Sequence, residues 1–136
     1  MARPRAFASA SPGDIVWRRF PEVLAALPGP KPRPALVIAC GEVGASPAVE
    51  VAYGTSRKIE RLHPGEFLVG TEDGEAWTLS GLSYPTKFDL SRRIELPFDD
   101  RWFAVAPGAP FGQHPKMGLL HPVLMRRASA AYRAAR

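Results

Sequence analysis

Lys31-Pro-Arg-Pro-Ala-Leu-Val-Ile-Ala-Cys40 is an apolar, β-branched run that reads as a strand emerging from a proline-rich loop. Each proline fixes its own φ and biases the preceding residue towards extended backbone, so Arg33 is held stiffly at the mouth of the strand. A second run, Ala48 to Tyr53, also reads as a strand and ends in Gly54-Thr55-Ser56-Arg57-Lys58. Two strand ends therefore carry two hydroxyls and several cations. Such groups converging in a concave site suit a phosphodiester better than an apolar ligand.

Working outwards, Gly13 to Phe20 alternates as a first strand, with Ile15, Trp17 and Arg19 on one side and Val16, Arg18 and Phe20 on the other. Residues Met1 to Pro12 read as a flexible arm, and Pro21 to Arg33 as a loop whose apolar patch, Val23 to Leu27, suits one helical turn. Glu66 to Gly70 is a weak strand followed by a turn at Glu72-Asp73-Gly74. Trp77 to Tyr84 and Lys87 to Leu96 read as two more strands. Arg92 and Arg93 interrupt the second of these, as at an edge or a bulge. Trp102 to Val105 reads as a last short strand, and Pro107 to Pro115 as an irregular loop. From Leu119 to Ala135 the period changes: Leu120, Val123, Leu124, Ala128, Ala131 and Tyr132 recur at three and four, as on an amphipathic helix. Short strands with Gly/Pro turns and one terminal helix predict a mainly β single domain over 13–136, a small, partly open β-barrel.

Composition narrows the function classes. The chain has 136 residues and a formal net charge of +5, enough for one domain with its own core. No stretch approaches the roughly 20 apolar residues of a membrane span. The basic N-terminus lacks the apolar segment of a secretory signal. The single cysteine, Cys40, allows no intrachain disulfide and reads as a small buried hydrophobe in a cytoplasmic protein. From Arg101 to Arg136 there are six bases and no acid, whereas Gly41 to Asp100 holds eleven of the thirteen acids. That asymmetry points to a polyanionic partner, although arginines solvating a terminal helix account for it equally well. His63, His114 and His121 each sit beside or near a proline, without metal-ligand spacing to Cys40, so no metal or other cofactor is expected and their role reads as structural. Trp17, Trp77 and Trp102 read as core or dimer-interface residues rather than base-stacking platforms.

In order and spacing the motifs resemble the MazF/PemK family of bacterial toxins, from about Pro12 to at least Leu96. Gly13-Asp14-Ile15-Val16 matches the family's opening strand, Arg33-Pro-Ala-Leu-Val-Ile38 its Arg-Pro-Ala-Val-Val-Leu strand, and Gly54-Thr-Ser-Arg-Lys58 its strand ending in Thr/Ser plus a base. Lys116 to Pro122 leads into a helix where the family carries its own. The resemblance implies an SH3-like barrel, a cytoplasmic homodimer, and a metal-independent endoribonuclease that cuts single-stranded RNA and is neutralised by a cognate antitoxin protein. It implies Arg33 as the group stabilising the phosphorane and Thr55 and Ser56 as hydrogen-bond partners of the scissile phosphate. Lys31, Arg57, Lys58 and Arg92 would add charge for RNA.

One strand departs from the family pattern. Where the family reads Arg-Thr-hydrophobic-Asp, this chain reads Thr86-Lys87-Phe88-Asp89. Asp89 aligns, but the cation has moved by one place, which on a regular strand reverses its face. Either a bulge restores Lys87 to the site, or Arg92 or Arg93 replaces it, or catalysis is weak. Two other readings remain: a catalytically silent nucleic-acid-binding module on the same barrel, and a gyrase-inhibiting toxin. The chain's ending, Tyr132-Arg-Ala-Ala-Arg136, argues against the latter. On bland readings Arg33 pairs with a carboxylate such as Glu50, Thr55 and Ser56 are turn residues, and Asp89 with Lys87 and Arg92 is a surface ion pair.

Overall fold

The computed structural model describes residues 4–19 and 32–135. Six strands form one antiparallel sheet: β1 Asp14–Arg19, β2 Pro32–Val43, β3 Ser46–Thr55, β4 Glu66–Val69, β5 Thr86–Pro97 and β6 Lys116–Leu119. Their order is β4-β5-β3-β2-β1-β6. Among the described residues this sheet is open, with β4 and β6 at its edges, and it is not closed into the expected barrel. Two helices accompany it, α1 Glu75–Ser80 and α2 Met125–Ala134.

Alternation of side chains along each strand divides the core into two layers. Ile15, Leu36, Ala52 and Phe88 point to the layer that α1 and α2 cover, with Leu124, Ala128 and Ala131. Val16, Ala35, Val37 and Val51 point the other way, to Phe98, Trp102 and Phe103. The expected flexible arm, Met1 to Pro12, is described from Pro4 onwards, and there it is docked on this second layer. Phe7 is buried against Phe98, with ring centroids 5.7 Å apart, and Ala6 bridges Asp99. His114 ties the segment down. Its Nδ1 accepts from the Lys116 N–H at 3.0 Å, so its Nε2–H donates to the Ala8 carbonyl at 3.0 Å. The buried Phe7 side chain, the Ala6 backbone bridge and the His114 hydrogen bond anchor the segment expected to be a flexible arm.

Three local expectations are corrected. Trp77 to Tyr84 is not a strand: α1 covers Glu75–Ser80 and ends at Gly81 in the left-handed region. Trp77 and Leu79 mimic strand alternation, but Ala76 and Ser80, one turn apart, are the buried pair. Trp102 to Val105 is a turn rather than a strand, touching the sheet by one bridge, Phe103 to Arg18. The terminal helix starts at Met125, not Leu119. Lys116–Leu119 instead forms β6 on β1, and Pro122 opens a 3-10 turn whose cap, His121 Nδ1, accepts from the Val123 N–H at 3.0 Å. Cys40 is exposed, contrary to expectation. The interruption at Arg92 and Arg93 is a bulge: Ala52 pairs with Arg93 and the next residue, Tyr53, with Asp89, so that three residues of β5 are looped out.

An ion pair fixes the end of α2 over β4. Arg127 Nη2 lies 2.8 Å from Asp73 Oδ1, Arg127 Nη1 donates to the Leu68 carbonyl, and Asp73 Oδ2 accepts from the Gly70 N–H. The guanidinium, aided by that amide, holds the Asp73 carboxyl below its ordinary pKa against the opposing effect of burial. A depressed carboxyl pKa stabilises the fold above the unfolded value, about 3.9, and the contribution disappears as pH falls through the folded value. Asp73→Asn should therefore lose about 1–2 kcal/mol at pH 7, with the difference from wild type shrinking below about pH 4 in urea titrations at each pH. Phe7→Ala should cost about 3 kcal/mol in the same measurement, whereas an undocked arm would make it silent.

Candidate functional site

The antiparallel register builds a polar face at one end of the sheet. Arg18 of β1 pairs directly with Arg33 of β2, Ala35 of β2 with Tyr53 of β3, and Tyr53 and Thr55 of β3 with Asp89 and Lys87 of β5. Residues directly opposite share a face, as do residues two apart on one strand. Arg18, Arg33, Tyr53, Thr55, Lys87 and Asp89 therefore occupy one face, continuing the row of Val16, Ala35 and Val51. At this end the apolar layer gives way to charge.

Tyr53 is the centre of that face. The Arg18 guanidinium lies 4.6 Å from its ring centroid and that of Arg92 lies 5.9 Å away, both within the range of a cation–π interaction. Arg18 is fully buried. Loss of water lowers its pKa, and its hydrogen bond to Tyr53 and the charge on that residue act in the opposite direction; a guanidinium nevertheless stays protonated. The β5 bulge is what brings Arg92 back to Tyr53. Arg93 faces the other layer, where its guanidinium lies 5.1 Å from the ring of Tyr132 on α2. Of the expected substitutes for a displaced cation, Arg92 is therefore the one on this face.

Lys87 shares the face and is engaged within the fold. It is buried, and its Nζ donates to the Arg61 carbonyl at 3.0 Å and lies 3.1 Å from Glu66 Oε2. Its charge is compensated inside the fold. Asp89 accepts from the Ser91 N–H and hydroxyl. Arg57 and Lys58 are exposed, just beyond the end of β3, and Lys31 falls outside the described residues. Among the described residues Arg33 takes part in no ion pair, including the one imagined with Glu50.

Behind this end of the sheet lies a cavity of about 420 Å³. Arg33, Thr55 and Ser56 line it together with Trp17, Pro34, Gly54, Leu82, Thr86 and Met117. Arg33, Thr55 and Ser56, the residues expected at a phosphate, thus line one hollow together, and its other walls are largely apolar. Gly54 makes it possible: a Cβ there would stand 2.6 Å from the Pro34 carbonyl oxygen and 2.8 Å from the Phe88 ring. Gly118 of β6, next to the lining residue Met117, lets the end of α1 pack onto its backbone at Leu79 and Ser80. The signal available in the sequence was glycine at a strand interior, which marks close backbone approach.

No family model and no curated protein matches the chain. Among the described residues no group of three or more His, Cys, Asp or Glu side chains is placed to hold a metal ion, and no helix is long and apolar enough to cross a membrane.

Two arginines directly opposite each other on a sheet repel. Arg33→Gln should therefore raise folding stability by a few tenths of a kcal/mol, read as a higher urea midpoint at low salt. Glu66→Gln, which leaves Lys87 buried beside a neutral partner, should lower it by about 3 kcal/mol.

Proposed function

We propose that this face binds the phosphate backbone of single-stranded RNA and that the protein is an endoribonuclease of the MazF/PemK type, on an SH3-like sheet. The observation that carries the reading is the pairing of Arg18 with Arg33 around Tyr53, joined by Arg92. The half-buried Arg33 and the exposed Arg92, with the buried charge of Arg18 beneath them, make a cationic face that a bound polyanion stabilises, and the attraction weakens with salt.

In the proposed reaction the ribose 2′-oxygen attacks the adjacent phosphorus. The 2′-hydroxyl proton passes to a base as the new O–P bond forms. The bond from phosphorus to the 5′-oxygen breaks, and that oxygen takes up a proton. The products are a 2′,3′-cyclic phosphate and a 5′-hydroxyl, and the step needs no metal ion. Arg33 would neutralise the non-bridging oxygens of the phosphorane, while Thr55 and Ser56 donate hydrogen bonds to the same phosphate. Lys87 acts on this reading as an internal strut rather than a catalytic cation. Arg57, Lys58, Lys31 and Arg92 extend the charge along the strand, Asp89 helps hold the β5 bulge, and neither a cofactor nor a metal is required.

The wider reading follows from the family: a cytoplasmic toxin acting as a homodimer, silenced by an antitoxin whose acidic segment occupies the same cationic face. A second reading has a specific observation in its favour. Lys87 is committed to Glu66 and Asp89 to Ser91, so a silent RNA-binding module accounts for the face without a general base.

Purified protein in EDTA, given a long single-stranded RNA, should cut at discrete sites and leave 5′-hydroxyl ends. Arg33→Ala, still folded by circular dichroism, should lose at least a hundredfold of that rate. Salt-sensitive binding with no cleavage would favour the silent module, and neither binding nor cleavage would overturn the RNA reading.

A further inference from the structure

The charge on the terminal helix has no part in the phosphate site. From Arg101 to Arg136 the chain carries six bases and no acid, and three of those bases are arginines of α2. Arg127 is paired with Asp73. Arg126 and Arg133 are exposed and, among the described residues, take part in no ion pair. Seven residues apart, they differ by about 20° round the helix and about 10 Å along it, on the side opposite the buried Ala128 and Ala131. Tyr132, 52 % exposed, flanks that stripe, and the Arg93 guanidinium lies 5.1 Å from its ring centroid.

The β5 bulge connects the stripe to the first cationic face. β4 pairs with β5 only from Thr86 to Asp89, so Ser91, Arg92 and Arg93, all exposed, stand at an open margin of the sheet. Adjacent in the chain, Arg92 turns to Tyr53 and Arg93 to Tyr132. Cations therefore continue round the margin, from Arg33 through Arg92 and Arg93 to Arg133 and Arg126. Beyond Arg93 the charge reverses: Glu95, two residues on, lies opposite Glu50 of β3. Carboxylates there repel a polyanion and turn its path onto the helix.

We propose that α2 is a second contact surface for the RNA strand. The strand leaves the Arg33 site, rounds the margin of the sheet at Arg92 and Arg93, and lays its phosphates on Arg133 and Arg126. The inference rests on the reading of single-stranded RNA as the ligand and adds the path of the strand outside the site. Guanidiniums hold phosphate oxygens through paired N–H donors, and the half-exposed Tyr132 offers a stacking face to a base of any identity. A double helix is too stiff to round a sheet margin within a few nucleotides, so the track selects single strands. Leu124, Ala128 and Ala131 in the core and the Arg127–Asp73 pair hold the helix in place, so its arginines project from a fixed backbone. Phosphate contacts carry no sequence information; the track adds affinity with length rather than specificity.

The test is fluorescence anisotropy with the full chain and two uncleavable probes over a range of salt. The probes are 2′-O-methyl RNAs of random sequence, about 4 and about 16 nucleotides long. Each phosphate contact on a single strand contributes about 0.7 to the slope of log affinity against log salt. Arg93→Gln/Arg126→Gln/Arg133→Gln should therefore lower that slope by about 2 on the long probe and leave the short probe, which fits on the Arg33 site, unchanged. Arg126→Gln/Arg133→Gln, confined to the outer face of the helix, should lower it by about 1.4 and serves if the triple variant misfolds. Arg5→Gln/Arg101→Gln removes as much charge as this double variant, beside Phe7 and Trp102 in the other layer, and should leave the slope as it is. A long-probe slope unchanged in the helix variants overturns the track while the RNA reading stands. An equal loss in Arg5→Gln/Arg101→Gln, or on the short probe, overturns it in the same way. Failure of the wild type to bind either probe overturns both.

Discussion

The pairing of β2 with its two neighbours is the constraint on which the rest of this molecule depends. Arg18 opposite Arg33, and Ala35 opposite Tyr53, fix which side of the sheet receives charge and which receives helices. Because the side-chain period of a strand is two, a slip of one residue would exchange the faces and put Arg18 into the layer that holds Ile15, Leu36 and Phe88. The apolar rows make that slip prohibitive: Val16, Val37 and Val51 are buried on one side, Ile15, Leu36 and Ala52 on the other. Hydrophobic burial thus positions the arginines, rather than any contact between the arginines themselves.

The polar face is an arrangement that folding alone does not favour. A fully buried guanidinium is held against a tyrosine ring, and a second arginine stands directly across from it. What makes this tolerable is the size of the core on both faces, including the N-terminal segment that brings Phe7 onto Phe98 and engages His114 through Ala8. Stability gathered along the length of the sheet offsets repulsion concentrated at one end. The bulge in β5 serves the same end of the molecule, because only an irregular strand can send Arg92 to Tyr53 and the adjacent Arg93 to Tyr132.

The stretch Thr86-Lys87-Phe88-Asp89 commits its cation to the interior of the fold. Lys87 is on the face of Thr55, but a lysine so deeply buried needs a carboxylate, and Glu66 of the edge strand supplies it. The charge that remains available around Tyr53 belongs to arginines, whose planar guanidiniums suit both a phenol ring and a phosphate. The strand's lysine is a structural element, and Arg92, within the bulge, occupies the surface.

The sequence by itself determined the central strands, the predominance of β-structure and the terminal helix, because runs such as Pro34-Ala-Leu-Val-Ile38 and the three-and-four spacing from Leu120 to Tyr132 are local patterns. It also singled out Arg33, Thr55 and Ser56, since proline-locked and glycine-ended strand mouths are legible as chemistry without a fold. What only the tertiary structure decided was everything that depends on partners distant in the chain. Trp77 to Ser80 became helical because Gly74 and Gly81 bracket it and β6 receives it, and Lys116–Leu119 became a strand because β1 had an edge to fill. Arg18, a plain alternating residue in sequence, became the buried centre of the polar face through pairing with Arg33 and Tyr53. The cavity likewise exists only where Gly54 and Gly118 let backbones approach, and close approach is a property of two segments that neither encodes alone.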